Sequence, residues 1–244
     1  MRIDIITVFP DMIANAVDYG IIARAIEHEL LKVVVHDLRD YTNDRHHSVD
    51  DYCYGGGAGM LLKPEPLFKA VESIDYNSSD RKIILLTPQG KLLNQEIARQ
   101  FSLSEHLIMI CGRYKGVDER VRDRLVTDEI SIGDYVLSGG EFPALVLIDA
   151  VVRLIPGAIG NYESAQDDSF SDGILDCPHY TRPANYCGMV IPEVLLSGDP
   201  KKIKNWQRQQ ALVCTFKKRP DLLKKEVLSE EDIDFLKTLG FKIS

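Results

Sequence analysis

Glycine-punctuated turns offer the clearest chemistry in this sequence. One lies at Pro88-Gln89-Gly90, a second at Gly112 with Gly116 just behind it, and a third runs from Gly133 to Gly139-Gly140. Each follows an apolar run, so backbone N–H and C=O groups without a crowding Cβ would meet a ligand beyond the strand ends. The ordinary nucleotide fingerprints are missing: no G-x-G-x-x-G follows the first strand, and no G-x-x-x-x-G-K-[ST] occurs. A further cluster, Gly55-Gly56-Gly57-Ala58-Gly59, lacks the P-loop lysine and serine. It reads either as a flexible turn or as a backbone surface for an anion. Cys177, His179 and Cys187 can be imagined as a zinc cluster, but no fourth ligand follows and the spacing matches no usual zinc site, so no metal centre is expected.

The elements that must position these turns alternate strand with helix, the pattern of a parallel α/β sheet. Residues 82–87 (KIILLT) precede a helical stretch at 94–101, and residues 107–111 (LIMIC) precede one at 117–125. A third strand at 129–132 leads through the last glycines to a long apolar helix over 141–155. Two earlier strands, 3–9 and 32–36, flank helices beginning after Pro10, which suits a first helical position. The 141–155 helix is apolar nearly all round, which predicts burial on every side and a subunit interface. Pro156 and Gly157 stop it, and residues 160–172 turn polar and acidic. The expected division is a ligand-binding domain over 1–159, a flexible linker over 160–174 and a small α-helical domain over 175–244. Helices are expected there at 190–196, 200–218 and 230–239.

The chain has 244 residues, 45% of them hydrophobic and 27% charged, enough apolar surface for a sizeable core. The longest apolar run, 142–155, is broken by Asp149 and Arg153 and is shorter than the ~18 residues a membrane span needs. The start, MRIDIITVFP, reads as a strand with no cleavage site behind an apolar stretch, which predicts a cytoplasmic protein. Five scattered cysteines without a Cys-x-x-Cys pair argue against a disulfide framework. A net charge of -8 repels polyanions, so binding nucleic acid requires a local basic surface. Lys201, Lys204 and Arg208 fall within about a 60° arc of one helix, opposite Trp206, whose side should face the core. Such a face is either solvated or a phosphate contact.

Longer strings narrow the reading. Gly112-Arg113-Tyr114, GVDERV (116–121), SIGDYVL (131–137), Gly139-Gly140-Glu141, LDCPHYTRP (175–183), and residues 48–57 with Gly59-Met60 occur in order through almost the whole chain. Together they resemble the bacterial tRNA (guanine-N1)-methyltransferase family. The resemblance implies a SPOUT fold: an α/β domain whose later part is threaded into a deep trefoil knot, assembled as a homodimer with composite active sites. It implies that S-adenosylmethionine lies against Leu86, Pro88 and Gly90, then Gly112, Tyr114 and Gly116, then Ile132, Gly133, Tyr135, Leu137, Gly139 and Gly140.

The resemblance also assigns roles that spacing alone does not. Asp168, in Asp167-Asp168-Ser169-Phe170, would otherwise read as a solvated linker carboxylate; here it is expected to accept the proton of guanine N1. Arg153 is expected to stabilise charge growing on guanine O6, while a buried ion pair with Asp149 is its ordinary alternative. The tRNA is expected at Asp50, Gly55, Gly56, Gly57, Gly59 and His179, with the basic face of Lys201, Lys204 and Arg208. The target is the guanine at tRNA position 37, immediately 3′ of the anticodon. One departure stands out: the family usually has glutamate where this chain has Lys115. Magnesium is associated with family activity, and exchanging an oxygen ligand for an ammonium should weaken or relocate a hard-cation site. The rival expectations are a non-catalytic tRNA-binding dimer, a knotted RNA methyltransferase with another target atom, and a metal-dependent hydrolase using Asp167, Asp168, His179 and Cys177.

Overall fold

The structure, a computed structural model, describes residues 1–75, 80–159 and 168–241. It divides into two compact units, Met1–Gly160 and Asn161–Ser244.

The first unit is built on a parallel five-stranded sheet. Its strands are β1 (Arg2–Thr7), β2 (Lys32–Asp37), β5 (Arg81–Leu92), β6 (His106–Cys111) and β7 (Asp128–Ser131), in the order β2-β1-β6-β5-β7. A separate hairpin joins β3 (Asp50–Tyr52) to β4 (Met60–Leu62). Parallel strands covered on both faces should be apolar throughout, and β6 (HLIMIC) is buried along its whole length.

Two-residue alternation divides the side chains between the faces. Ile3, Ile5, Ile84, Leu86, Leu107 and Met109 face one core, where α1 (Pro10–Val17), α2 (Gly20–Glu27), α4 (Gln95–Ser102) and α6 (Glu141–Val152) pack. Ile6, Ile83, Leu85, Ile108 and Ile110 face the other, against α3 (Pro64–Ser73) and α5 (Glu119–Arg124). Pro10 and Pro64 occupy first-turn positions, and Asn94 caps α4 by accepting from Ile97 N–H at 2.9 Å.

Three expectations need correction. The Pro88-Gln89-Gly90 string does not end its strand: β5 continues to Leu92, with a register shift against β7 between Leu86 and Lys91. Proline is tolerated there because the pairing with β7 is already interrupted. Second, α6 is not buried on every side of this chain. Phe142 and Val146, one turn apart, are 61% and 47% exposed, while Ala144, Leu147, Ile148 and Val151 are fully buried. Third, the expected helix at 190–196 is a two-strand hairpin plus a 3-10 turn. In it β8 (Asn185–Tyr186) pairs with β9 (Met189–Val190), and the 3-10 turn covers Glu193–Leu196. Cys187 and Gly188 both take positive φ, the two-residue turn that suits a hairpin, and Pro192 bars regular helix before Glu193.

The second unit surrounds its own core of Ile174, Cys177, Ala211, Leu212, Leu223 and Leu236. Helix α7 (Pro200–Lys218) follows the expected bounds; Asp199 caps it by accepting from the N–H groups of Lys201 and Lys202. Helix α8 (Glu230–Thr238) opens with a reciprocal capping box between Ser229 and Asp232. No helix among the described residues is long and apolar enough to cross a membrane.

Candidate functional site

A cavity of about 340 Å³ opens beyond the ends of β6 and β7 and beside the interrupted stretch of β5, on the usual ligand side of an open parallel sheet. Of the residues expected to meet a methyl donor, Leu86, Pro88, Gly112, Tyr114, Gly116, Ile132, Gly133, Tyr135, Leu137, Gly139 and Gly140 line it; Gly90 does not. Gly90 instead sits where β5 passes β7. A Cβ at 90 would lie 2.4 Å from the Glu129 carbonyl carbon and from Ile130 N, a distance no relaxed structure sustains.

The other loops are locked by main-chain contacts. Gly140 N–H donates to Gly112 O at 2.8 Å, and a Cβ at 140 would lie 2.7 Å from Cys111 Cα. Gly116 N–H closes a turn on Arg113 O at 2.8 Å, and within that turn Tyr114 takes φ 59. A side chain held left-handed in a binding loop is strain the surrounding contacts must maintain. Burial, and after it the Asp50 carboxylate, push the Tyr114 phenol upward, which keeps it a neutral hydrogen-bonding group. The Cys111 thiol is pushed well above its ordinary value, first by burial and then by Glu141, so it is no nucleophile.

Beneath the second and third loops, three side chains the sequence did not single out meet in a network. Buried Glu141 accepts from Thr7 Oγ1 at 2.9 Å and from Arg113 at 3.3 Å, joining β1, the second loop and the start of α6. The Arg113 guanidinium also lies 4.3 Å from the Phe9 ring centroid. Thr7 and Glu141 are 134 positions apart, so no local pattern carries this link.

The glycine-rich loop adjoins the same cavity. It joins β3 to β4, and Gly55, Gly56, Gly57 and Gly59 all take positive φ. Lys115 N–H donates to Met60 O and Leu62 N–H donates to Gly116 O, which fastens the hairpin to the second loop. Asp50 lies at the base of that hairpin.

The remaining expected residues are placed as follows. Arg153 is the C-terminal cap residue of α6, and its N–H donates to Asp149 O at 3.3 Å. Asp149 is exposed, which removes the buried ion pair considered for Arg153. Asp168 begins a turn in which Ser171 N–H donates to its carbonyl at 3.1 Å, and Ser169 Oγ accepts from Asp176 N–H. Arg153 and Asp168 belong to different units. Asp167 and most of the 160–174 linker lie outside the described residues.

In the second unit, Lys201 and Lys204 are exposed, but Arg208 is committed to Asp232 at 2.7 and 3.1 Å and joins α7 to α8. The basic face therefore keeps its lysines and loses its arginine to a structural pair. Trp206 is only half-buried and packs against Tyr180, rings 6.5 Å apart, rather than entering the core. His179 pairs with Asp176 at 2.7 Å, and with Cys177 these two bring their ligand atoms within 4.8 Å. Cys187 is exposed in the β8–β9 turn and is not part of that group.

Comparison with known proteins agrees with the layout of the strings. The sequence profile of the family described as tRNA (Guanine-1)-methyltransferase TrmD matches residues 1–225. A protein of Dictyoglomus turgidum named tRNA (guanine-N(1)-)-methyltransferase is 52% identical over 239 residues, covering 98% of this chain and 96% of its own. Proteins of the same name from Staphylococcus carnosus and Listeria monocytogenes are 53% and 50% identical. They cover 95% and 97% of this chain, and 94% and 98% of their own.

Proposed function

The chain belongs to the tRNA (guanine-1)-methyltransferase family TrmD, and on that premise we propose that it methylates N1 of the guanine at tRNA position 37, using S-adenosylmethionine. The observation carrying this reading is the convergence on one cavity of the interrupted stretch of β5 with the loops after β6 and β7. The size and surface of the cavity fit the donor. About 340 Å³ is within the range of small-molecule sites, and glycine walls present main-chain donors and acceptors to adenine and carboxylate. Bound there, the donor supplies an electrophilic methyl group on a sulfonium leaving group.

The chain's own residues do the rest. Guanine N1 becomes nucleophilic as its proton leaves, and Asp168 is the carboxylate proposed to accept it. Charge then grows on O6, and Arg153 is proposed to stabilise it. The proposed active site is composite, completed by a second copy of the chain. The exposed Phe142–Val146 stripe on α6 supports a homodimer, since a soluble chain seldom leaves such a stripe on its longest apolar helix in water.

The knot of the SPOUT fold is part of the same proposal. It rests on the membership of the family. Asp50, the glycine loop, His179, Lys201 and Lys204 are the proposed tRNA surface, and the cytoplasm, where tRNA is modified, is the proposed location. Magnesium does not fit the cavity. Its described lining holds Arg113, Lys115 and Arg122 and no carboxylate, the reverse of a hard-cation site.

The test is methyl transfer from labelled S-adenosylmethionine to tRNA transcripts carrying guanine or adenine at position 37, with nucleoside analysis. N1-methylguanosine on the guanine transcript alone is the expected product. Donor and tRNA binding without transfer would replace this reading with that of a silent RNA-binding dimer.

A further inference from the structure

The three cations lining the cavity are not equivalent. Arg113 is paired with Glu141, and Arg122 with Glu129 at 2.5 and 3.1 Å as well as with Gln89. Lys115 forms no hydrogen bond or ion pair through its ammonium among the described residues.

An exposed lysine is ordinarily a mobile, solvated charge. The stem of Lys115 is instead laid along the glycine loop. A Cβ at position 59 would stand 3.0 Å from its Cε and 3.2 Å from its Cγ, and one at 57 would stand 3.5 Å from its Nζ. Gly57 and Gly59 hold φ near +105 and +102, a backbone that disfavours a side chain at either position, and at 59 a Cβ would also crowd the lysine stem. Its own N–H is donated to Met60 O at 3.0 Å, which ties its main chain to the hairpin. The result is an uncommitted ammonium delivered to the seam between the cavity and the glycine loop.

We propose that Lys115 contacts a phosphate of the tRNA beside the methyl-donor cavity, a role that rests on the tRNA reading above. The partner follows from charge. In a chain of net charge -8, a polyanion can settle only where positive charge is left unneutralised, and this ammonium is so placed. The hairpin carrying the glycine loop also presents Tyr52 and Tyr54, 78% and 101% exposed, whose ring faces suit unstacked bases. A glutamate here, as in the usual family pattern, would repel the same phosphate. This chain therefore differs from that pattern on the side of the cavity that meets the glycine loop.

The test measures binding of unmodified tRNA to the full chain, without donor, across a salt series. Wild type is compared with Lys115→Gln and Lys115→Arg, and donor affinity is measured separately by calorimetry. Loss of one phosphate contact lowers the slope of log affinity against log salt by about 0.7 to 0.9, and Lys115→Gln is expected to show that loss. Lys115→Arg is expected to keep the wild-type slope, and donor affinity should be the same in all three. An unchanged slope in Lys115→Gln overturns the proposal, as does a loss of donor affinity in its place, which would put the ammonium on the donor's carboxylate. Because the readout is binding, a wild type that binds tRNA but makes no N1-methylguanosine defeats the catalytic reading alone. A wild type with no salt-dependent tRNA affinity defeats both.

Discussion

Arg113 donates to Glu141 at 3.3 Å while the other oxygen of Glu141 accepts from Thr7 at 2.9 Å, so one buried carboxylate holds β1, the second loop and the head of α6 together. Its position also closes the third loop: a Cβ at Gly139 would lie 2.3 Å from Glu141 Oε2 and 2.7 Å from the Arg113 guanidinium. Glu141→Ala leaves Arg113 and Thr7 unpaired near the core. It should lower unfolding stability by about 3 kcal/mol in urea titration, with donor affinity falling in parallel. Full retention of both would show that the network does not support the loops.

The crossings at Gly90 and Gly140 make a sharper prediction. Alanine at either position places a methyl group within 2.4 to 2.7 Å of neighbouring backbone. No rotamer relieves a backbone clash, so each variant should lose donor binding in calorimetry and several degrees of Tm.

Asp168→Asn tests the proposed base separately from binding. Methyl transfer should fall by two to four orders of magnitude, roughly the worth of general base catalysis, while donor and tRNA affinities stay within about twofold. If donor affinity collapses instead, Asp168 is holding the fold of its turn.

Acid should weaken the first unit through a buried cluster on β1, β2 and β6. Asp4 accepts from Arg2, from His36 at 2.7 Å and from His106 at 2.7 Å. Burial alone would raise the Asp4 carboxyl, but the hydrogen bonds from His36, Arg2 and His106 and the Arg2 charge hold it well below the usual range. Burial lowers the His106 imidazole, only partly opposed by Asp4. Both signs agree. As pH falls below 6.5 the unfolded chain protonates its histidine before the folded one does, and below 3.8 the same holds for the aspartate, so stability drops in both windows. Urea midpoints should decline from about pH 7 downward, with the upper part of that slope flattened in His106→Asn. Parallel profiles for the two proteins would remove His106 from the account.

The exposed stripe on α6 gives the test of assembly. Val146→Glu places a charge beside Phe142 without touching the buried face of the helix. Sedimentation should show wild type as a dimer and the variant as a folded monomer without methyl transfer, since a charge in an apolar interface is costly. A monomeric wild type would refute the composite site.

Strand and helix order were legible because β6 carries an apolar run over 107–111, β1 is rich in isoleucine, and Pro10, Asn94 and Asp199 mark helix starts. What escaped was long-range. Pro88 reads locally as a terminator, yet β5 runs through it because β7 pairs again from Lys91 onward. The α6 pattern predicted burial but could not say that part of it lies outside a single chain. Arg208 reads locally as part of a basic face, and its pairing with Asp232, 24 residues later, is invisible to helical spacing. Eleven of the twelve residues assigned to the donor by resemblance do surround one cavity, whereas periodicity alone offered only glycines at strand ends.

Gly112, Gly116, Gly133, Gly139 and Gly140 are among the residues lining that cavity, and this limits how the protein can evade a competitor. An inhibitor held by peptide groups at those turns keeps its contacts when side chains elsewhere change, and a side chain introduced at Gly140 meets the Cys111 backbone. Escape is confined to the rim, where Tyr135, Val136 and Lys115 are exposed and replaceable. A compound that stays within the glycine walls and ignores the rim leaves drug resistance the fewest positions from which to arise.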